Sequence, residues 1–507
     1  TYAPAGGSID PNTFADMERG EDLLLDRTVQ GATLLLDHRI SPSLELQSIT
    51  GYRSFDSYES FDADGTVAPV LWFAEDAEGD QFSQELRLSF EGTGRFNGFV
   101  GAGYFWEDGF QRVPWETDER SLFALFSPLL AAAGVPVPVF PLVNPDGTPS
   151  LPFDINPLAG VPFKTMHREE FANYGSVQAF EVFADGTLAL TDRLELTAGL
   201  RGSFESVDNG YEVIGDDTPG TLGFVLGATP NNLFPATDGL ETAQASFNAV
   251  TGRVVARYEA SDNLNLFANV ARGRRPNVLN VGASLVDTLA AEIVNSYEVG
   301  FKSTLANGRV AFDANAYLYD YSNFQTSVAT IEDGIEEIFR PQDSGAATAR
   351  GFETALRAAL SDQFSFFANY GYVDATFDDT DTDGAPQALA GNRFRLTPEH
   401  SLSLGAGFDA PVPGVGSFYM RPTYTWKSQV FFEESNLPGI EQDGYGLLNA
   451  QAGLRFADDR FELGVWGRNL LDESYIIDAG NTGGGFGIPT FIGGPPRFVG
   501  LRLTARF

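Results

Sequence analysis

The chain contains no cysteine, so no disulfide staples it and no thiolate can hold a metal. Its histidines, His38, His167 and His400, stand far apart, without HExxH or any paired-ligand spacing of the kind a zinc centre needs. Neither a GxSxG elbow nor a phosphate-cradling P-loop occurs. Enzyme chemistry therefore finds no foothold in the sequence. Basic residues are scarce, 32 against 69 acidic, for a formal charge of −37. That balance argues against nucleic acid as a partner, because phosphate binding needs a basic footprint. Long apolar runs are missing as well: none reaches the roughly 18 uncharged residues that a membrane helix needs. The nearest is Ser121 to Val143, broken by Pro128, Gly134, Pro136, Pro138 and Pro141. It reads as a loop segment with a short helix before Pro136, either a lid over other loops or an apolar docking patch. Thr1-Tyr2-Ala3-Pro4 does not read as a secretory leader.

What the chain has in abundance is Gly, 55 residues, and aromatics, 43 Phe and 17 Tyr, a composition that favours strands and turns. The closing stretch shows how they are used. In Pro495 to Phe507, Val499, Leu501, Leu503, Ala505 and Phe507 alternate with Phe498, Gly500, Arg502, Thr504 and Arg506. A strand puts these sets on opposite faces. Two arginines on one face exclude a dry sandwich core there, and the pattern suits lipid outside and water inside. The unit recurs. Leu194, Leu196, Ala198 and Leu200 alternate with Glu195, Thr197 and Arg201, and Leu264, Leu266, Ala268 and Val270 with Asn265, Phe267 and Asn269. On Val310 to Leu318, Val310, Phe312, Ala314, Ala316 and Leu318 should face lipid, and Arg309, Asp313 and Asn315 the lumen. Short turns such as Ser41-Pro42-Ser43, Ala306-Asn307-Gly308 and Ala457-Asp458-Asp459-Arg460 fall at one end of the hairpins. Long connections, the longest expected over 109–166, fall at the other. The fold class is thus all-β, a transmembrane antiparallel β-barrel with about seventeen strands in this chain.

Several segments also resemble a known family. Trp466-Gly467-Arg468-Asn469-Leu470-Leu471-Asp472-Glu473-Ser474-Tyr475, followed by the closing strand, resembles the end of TonB-dependent outer-membrane receptors. Ser246 to Arg253, Asn269 to Pro276, Asn295 to Lys302 and Phe312 to Tyr321 resemble the middle of the same barrels. The likeness runs from about Asp26 onward. It implies a plugged 22-stranded barrel in a Gram-negative outer membrane, importing a scarce nutrient such as a ferric siderophore with energy delivered by TonB. A passive porin and a surface adhesion barrel are the alternatives. Eight hairpins and a lone last strand would correspond to strands six to twenty-two. On that reading 1–26 is the tail of an extracellular loop, and the plug and first strands lie upstream of Thr1. The first and last strands, Arg27 to Ile40 and that ending at Phe507, should then be the open edges of one curved sheet. Partners expected are outer-membrane lipid and lipopolysaccharide, the TonB complex through the absent plug, the nutrient, and a surface lipoprotein.

Three sets of side chains are candidates for binding. Arg272, Arg274 and Arg275, just before Pro276, could hold an anionic nutrient or pair with acids at the rim. Tyr317, Tyr319 and Tyr321 share the face opposite Leu318 and could stack on a ligand or belong to an aromatic girdle. Asp379, Asp381 and Asp383, with Gly384 sixth, match the opening of a calcium loop, but Ala390 stands where its bidentate Glu belongs. A plain acidic turn is the alternative. The Gly-rich stretch Gly483 to Gly487 opens no helix and reads as a mobile loop rather than a dinucleotide site.

Overall fold

The computed structural model describes residues 23–92, 94–215, 220–223, 231–283, 285–327, 341–480 and 484–506. Seventeen strands form one antiparallel sheet. In chain order they are β1 (Leu24–Ser41), β2 (Leu44–Asp62), β3 (Trp72–Glu91), β4 (Phe96–Thr117), β5 (His167–Ala189) and β6 (Leu194–Ile214). Then come β7 (Glu241–Ser261), β8 (Leu264–Arg275), β9 (Glu292–Leu305), β10 (Val310–Ser322), β11 (Ala347–Ala359) and β12 (Phe364–Phe377). The last five are β13 (His400–Val412), β14 (Gly416–Lys427), β15 (Tyr445–Phe456), β16 (Phe461–Arg468) and β17 (Phe498–Ala505). Each strand pairs with its sequence neighbours. Among the described residues β1 pairs only with β2 and β17 only with β16, so the sheet has the two free edges expected from the strand count and the resemblance.

The two faces divide as period-two patterning requires. Leu200, Val250, Val299 and Leu501 lie on one face with 63%, 62%, 59% and 79% of their surface exposed. Rows of large apolar groups that bare make sense only against lipid. The register carries that face unbroken from strand to strand: Val100 lies beside Ala184, Ala184 beside Leu200, Leu200 beside Gly252, Gly252 beside Arg272. On the other face Arg201 meets Glu181 at 3.0 Å, Arg253 meets Asp185 at 2.9 Å and Arg257 meets Glu195 at 3.1 Å. This is the watered, lumenal face. On β10, Ala316 and Leu318 are exposed with the apolar set. Asp313 lies beside Lys302 and Asn315 donates to Glu298 at 3.0 Å on the lumenal side. The expected register therefore holds. Arg309 sits in the turn and reaches Asp362 at 3.6 Å.

Several strands run further than alternation suggests. The connection between β2 and β3 is only 63–71, and β4 continues to Thr117, past the expected loop start at 109. The reason is physical. Beyond the bilayer no lipid covers the outer face, and Phe73 and Trp115 pack into a loop core instead, so the lipid–water alternation stops while the hydrogen-bond ladder continues.

The dry core sits outside the bilayer, at the end of the long connections. Leu71, Phe73, Trp115, Leu122, Phe123 and Phe234 are among its fully buried members. Its centre is helix α1 (Glu119–Ala132), capped by the Asp118 carboxylate, which accepts from the Arg120 amide at 2.9 Å. The short helix expected before Pro136 is thus present, and it continues through Pro128. Proline has no N–H for the carbonyl one turn back. Ser127 makes good the loss: its hydroxyl donates to Ala124 O at 2.8 Å and accepts from Phe140 N at 2.8 Å. Phe486 and Ile488 are also buried in this core, so the Gly-rich connection is anchored there rather than free.

Candidate functional site

Two buried carboxylates organise one side of the barrel mouth. Glu119, in the first turn of α1, accepts from Lys164 N at 2.8 Å, Leu222 N at 3.1 Å and Asn232 Nδ2 at 2.9 Å. Glu169, at the start of β5, accepts from the successive amides of Asn232, Leu233 and Phe234. His167 Nε2 lies 2.8 Å from the same carboxylate. A carboxylate can be held without water only when its lone pairs are filled this completely. The connection carrying α1 and the one carrying Asn232 are therefore locked to each other and to β5. The sequence reading did not single out Glu119. Nothing in it pointed to Glu169, whose partners are backbone amides more than sixty residues away.

The three arginines do not converge. Arg274 is buried, its guanidinium bidentate to Glu205 with both distances 2.7 Å, and it also reaches Ser203 at 3.1 Å. Arg275 donates to Gln325 O at 3.0 Å and lies 4.0 Å from Glu292. Arg272 is exposed beside Gly252, on the lipid-facing wall, and touches Asn295 Oδ1 at 3.4 Å. Alternation on β8 explains Arg272, which continues the outward set Leu266, Ala268, Val270. Two of the three thus make the rim contacts that pairing with neighbours predicts.

The tyrosines do form one feature. Tyr317 and Tyr319 stack at 5.0 Å between ring centroids, Tyr319 meets Tyr321 edge-on at 6.5 Å, and Tyr321 packs on Phe324 and Phe394. The ladder climbs the lumenal face of β10 toward the mouth. Opposite it on β11 stand Gly351, Ala349 and Ala347, small enough to leave the rings room. A side chain at Gly351 would come within 2.7 Å of the Tyr317 hydroxyl. Just below, a lumenal hollow of about 670 Å³ is bordered by Asp313, Asn315, Glu353 and Lys427. Stacked rings over a polar hollow can hold a planar or polyoxygenated solute by stacking and hydrogen bonds together.

The acidic turn is a tight hairpin tip. Asp381 turns its carboxylate back onto the amides of Asp383 at 2.9 Å and Ala385 at 2.8 Å. Among the described residues no group of three or more His, Asp or Glu is arranged to hold a metal ion.

At the extracellular end Asp64 is buried in the short loop after β2. It accepts from Thr66 N at 2.9 Å and Leu71 N at 3.0 Å. Burial, reinforced by the charge of Asp62, raises its pKa to about 7.

Comparison with known proteins agrees with this architecture. The family described as TonB dependent receptor-like, beta-barrel, matches residues 1–470. The metal-pseudopaline receptor CntO of Pseudomonas aeruginosa is 26% identical over 235 residues, 46% of this chain and 31% of that protein. The pesticin receptor of Yersinia pestis is 22% identical over 320 residues, 61% of this chain and 42% of the relative. The chain thus spans less than half the length of either. Among solved structures, the ferric yersiniabactin uptake receptor FyuA from Yersinia pestis superposes with a TM-score of 0.69 at 16% identity, over 94% of this chain and 61% of that one. The siderophore receptor PiuA from Acinetobacter baumannii gives 0.65 at 13%, over 97% and 66%. At such identities the likeness shows the fold.

Proposed function

The chain belongs to the TonB-dependent receptors, as part of their outer-membrane β-barrel, and from that premise we propose that the whole protein imports a metal chelate. The observation that carries this reading is the tyrosine ladder on the lumenal wall, above a polar hollow and below a bundle of packed loops. Relatives named for metal-pseudopaline and ferric yersiniabactin support a chelated metal as cargo. Loops would capture the chelate, the ladder would hold it by its rings or oxygens, and the TonB system would supply the energy for passage. The work is binding, gating and release, without covalent chemistry.

The test is growth under metal limitation of a strain lacking the gene, complemented by the full-length gene or by Tyr317→Ala and Tyr319→Ala variants. Wild type should restore growth on a chelate, and only when TonB is present. The tyrosine variants should need about tenfold more chelate at equal surface abundance, as loss of roughly 1.4 kcal/mol of binding requires. Growth independent of TonB would turn the reading toward a passive porin.

A further inference from the structure

On the lumenal wall near the mouth, β1, β2 and β3 border a hollow of about 230 Å³. Arg27 on β1, Arg53, Phe55 and Glu59 on β2, and Glu75 on β3 line it. The register puts this lining on the watered face. Ser57 lies beside Ala77, Ala77 beside Gln111 and Gln111 beside Asn173, which shares the alternating set of β5 that carries Glu181. Glu59 and Glu75 stand directly opposite each other, close under the loop at 63–71. Like charges so placed repel, and a cation between them relieves the repulsion.

Further along this face arginine and carboxylate meet directly, as Arg201 meets Glu181 and Arg253 meets Asp185. Here they do not. Among the described residues Arg53, Glu59 and Glu75 make no side-chain hydrogen bond or ion pair. Arg27 donates through Nε to Ser57 Oγ at 3.0 Å, which fixes its guanidinium and leaves the two terminal nitrogens open. Along β2, Phe55 falls between Arg53 and Glu59, and its ring is 37% exposed on the watered face. The ring is seated over Gly79, where a Cβ would come within 2.6 Å of it. Two guanidinium forks, a bare ring and two carboxylates, left unpaired with one another, are the complement of a zwitterion. A carboxylate fills the forks, an ammonium answers the glutamates, and an apolar body lies on the ring.

We propose that this hollow binds a zwitterionic α-amino acid group. The carboxylate sits on Arg27 and Arg53, the ammonium between Glu59 and Glu75, and the side chain against Phe55. A solute with one charge gains half of these contacts and is repelled by the other half, so the hollow selects against simple anions and simple cations alike. Beyond Phe55 the wall drops into a hollow of about 470 Å³, where Gly79, Gly109 and Gly175 stand in register and leave room for the rest of a larger solute. The inference rests on the chelate reading only in taking the amino acid group for one end of the cargo.

The experiment titrates three probes onto the full-length protein in mild detergent at neutral pH, read by saturation-transfer NMR. They are L-phenylalanine, 3-phenylpropanoate, which lacks the ammonium, and phenethylamine, which lacks the carboxylate. Wild type should bind L-phenylalanine at least tenfold more tightly than either of the others. Arg53→Gln should weaken L-phenylalanine at least tenfold and leave phenethylamine no weaker. Glu59→Gln should weaken L-phenylalanine as much and leave 3-phenylpropanoate no weaker. This crossed pattern follows the charges of the probes, which a general loss of structure cannot imitate. A heat-dependent shift in gel mobility verifies that each variant is folded. Absence of L-phenylalanine binding, or equal binding of all three probes by wild type, would overturn the site. So would unchanged L-phenylalanine binding in both variants, or a uniform loss of every probe. The measurement needs neither TonB nor a metal, so its failure leaves the chelate reading standing, and growth independent of TonB leaves this site standing.

Discussion

Arg272 and Arg274 are two positions apart on one strand and face quite different surroundings. Arg274 is clamped to Glu205 out of water, so Arg274→Ala strands a carboxylate and should cost about 3 kcal/mol, the penalty for breaking a buried pair. Arg275→Ala, exposed and 4.0 Å from Glu292, should cost less than about 1 kcal/mol. Thermal unfolding in detergent separates the two. Asp64 gives a pH signature. Its pKa stands at about 7 in the folded protein, above the ordinary aspartate value of 3.8, through burial and the neighbouring Asp62. The folded state thus holds a proton that the unfolded state releases, and stability falls as pH rises from about 4 to about 7. Asp64→Asn should flatten that slope, read as hydrogen exchange of the loop at 63–71 across the window. Equal slopes in variant and wild type would show that another group carries it.

At the scale of elements, α1 depends on Ser127. Ser127→Ala leaves Ala124 O and Phe140 N without these partners and should cost about 1–3 kcal/mol, because Ala124 is buried and Phe140 partly so. The expected outcome is faster proteolysis within 118–166 while the strands stay intact. The core packed around this helix also marks where sequence reading stops. Strands announce themselves because one face meets lipid and the other water, so Leu264, Leu266, Ala268 and Val270 alternate with polar or lumenal residues. The loop core has no such periodicity. Its order comes from contacts such as Glu169 with three amides beyond β6, which no local pattern encodes. The same limit applies to the candidate site. The tyrosine ladder was legible as a spacing on one strand. The dispersal of the three arginines was not, since it depends on where β8 ends and what Glu205 presents from two strands away.

The whole molecule is a thin wall with its dry core displaced to one end. The absence of cysteine makes the wall directly testable. Asp313→Cys should react with a membrane-impermeant thiol reagent from the watered lumen, and Ala314→Cys should stay protected by lipid. Labelling of position 314 ahead of 313 would reverse the faces. Placing the core at that end also fixes an order of events during assembly. Leu122, Phe123 and Phe126 have their burial site only once the several connections that build it have reached the same end of the barrel. Glu119 has its ligands only when the segment holding Leu222 and Asn232 is in place as well. The most apolar connection therefore finds shelter only together with its neighbours, on the outer side of the membrane. Retaining solubility in that interval falls to the chain itself, and its acidic surplus supplies the mutual repulsion that keeps waiting loops apart.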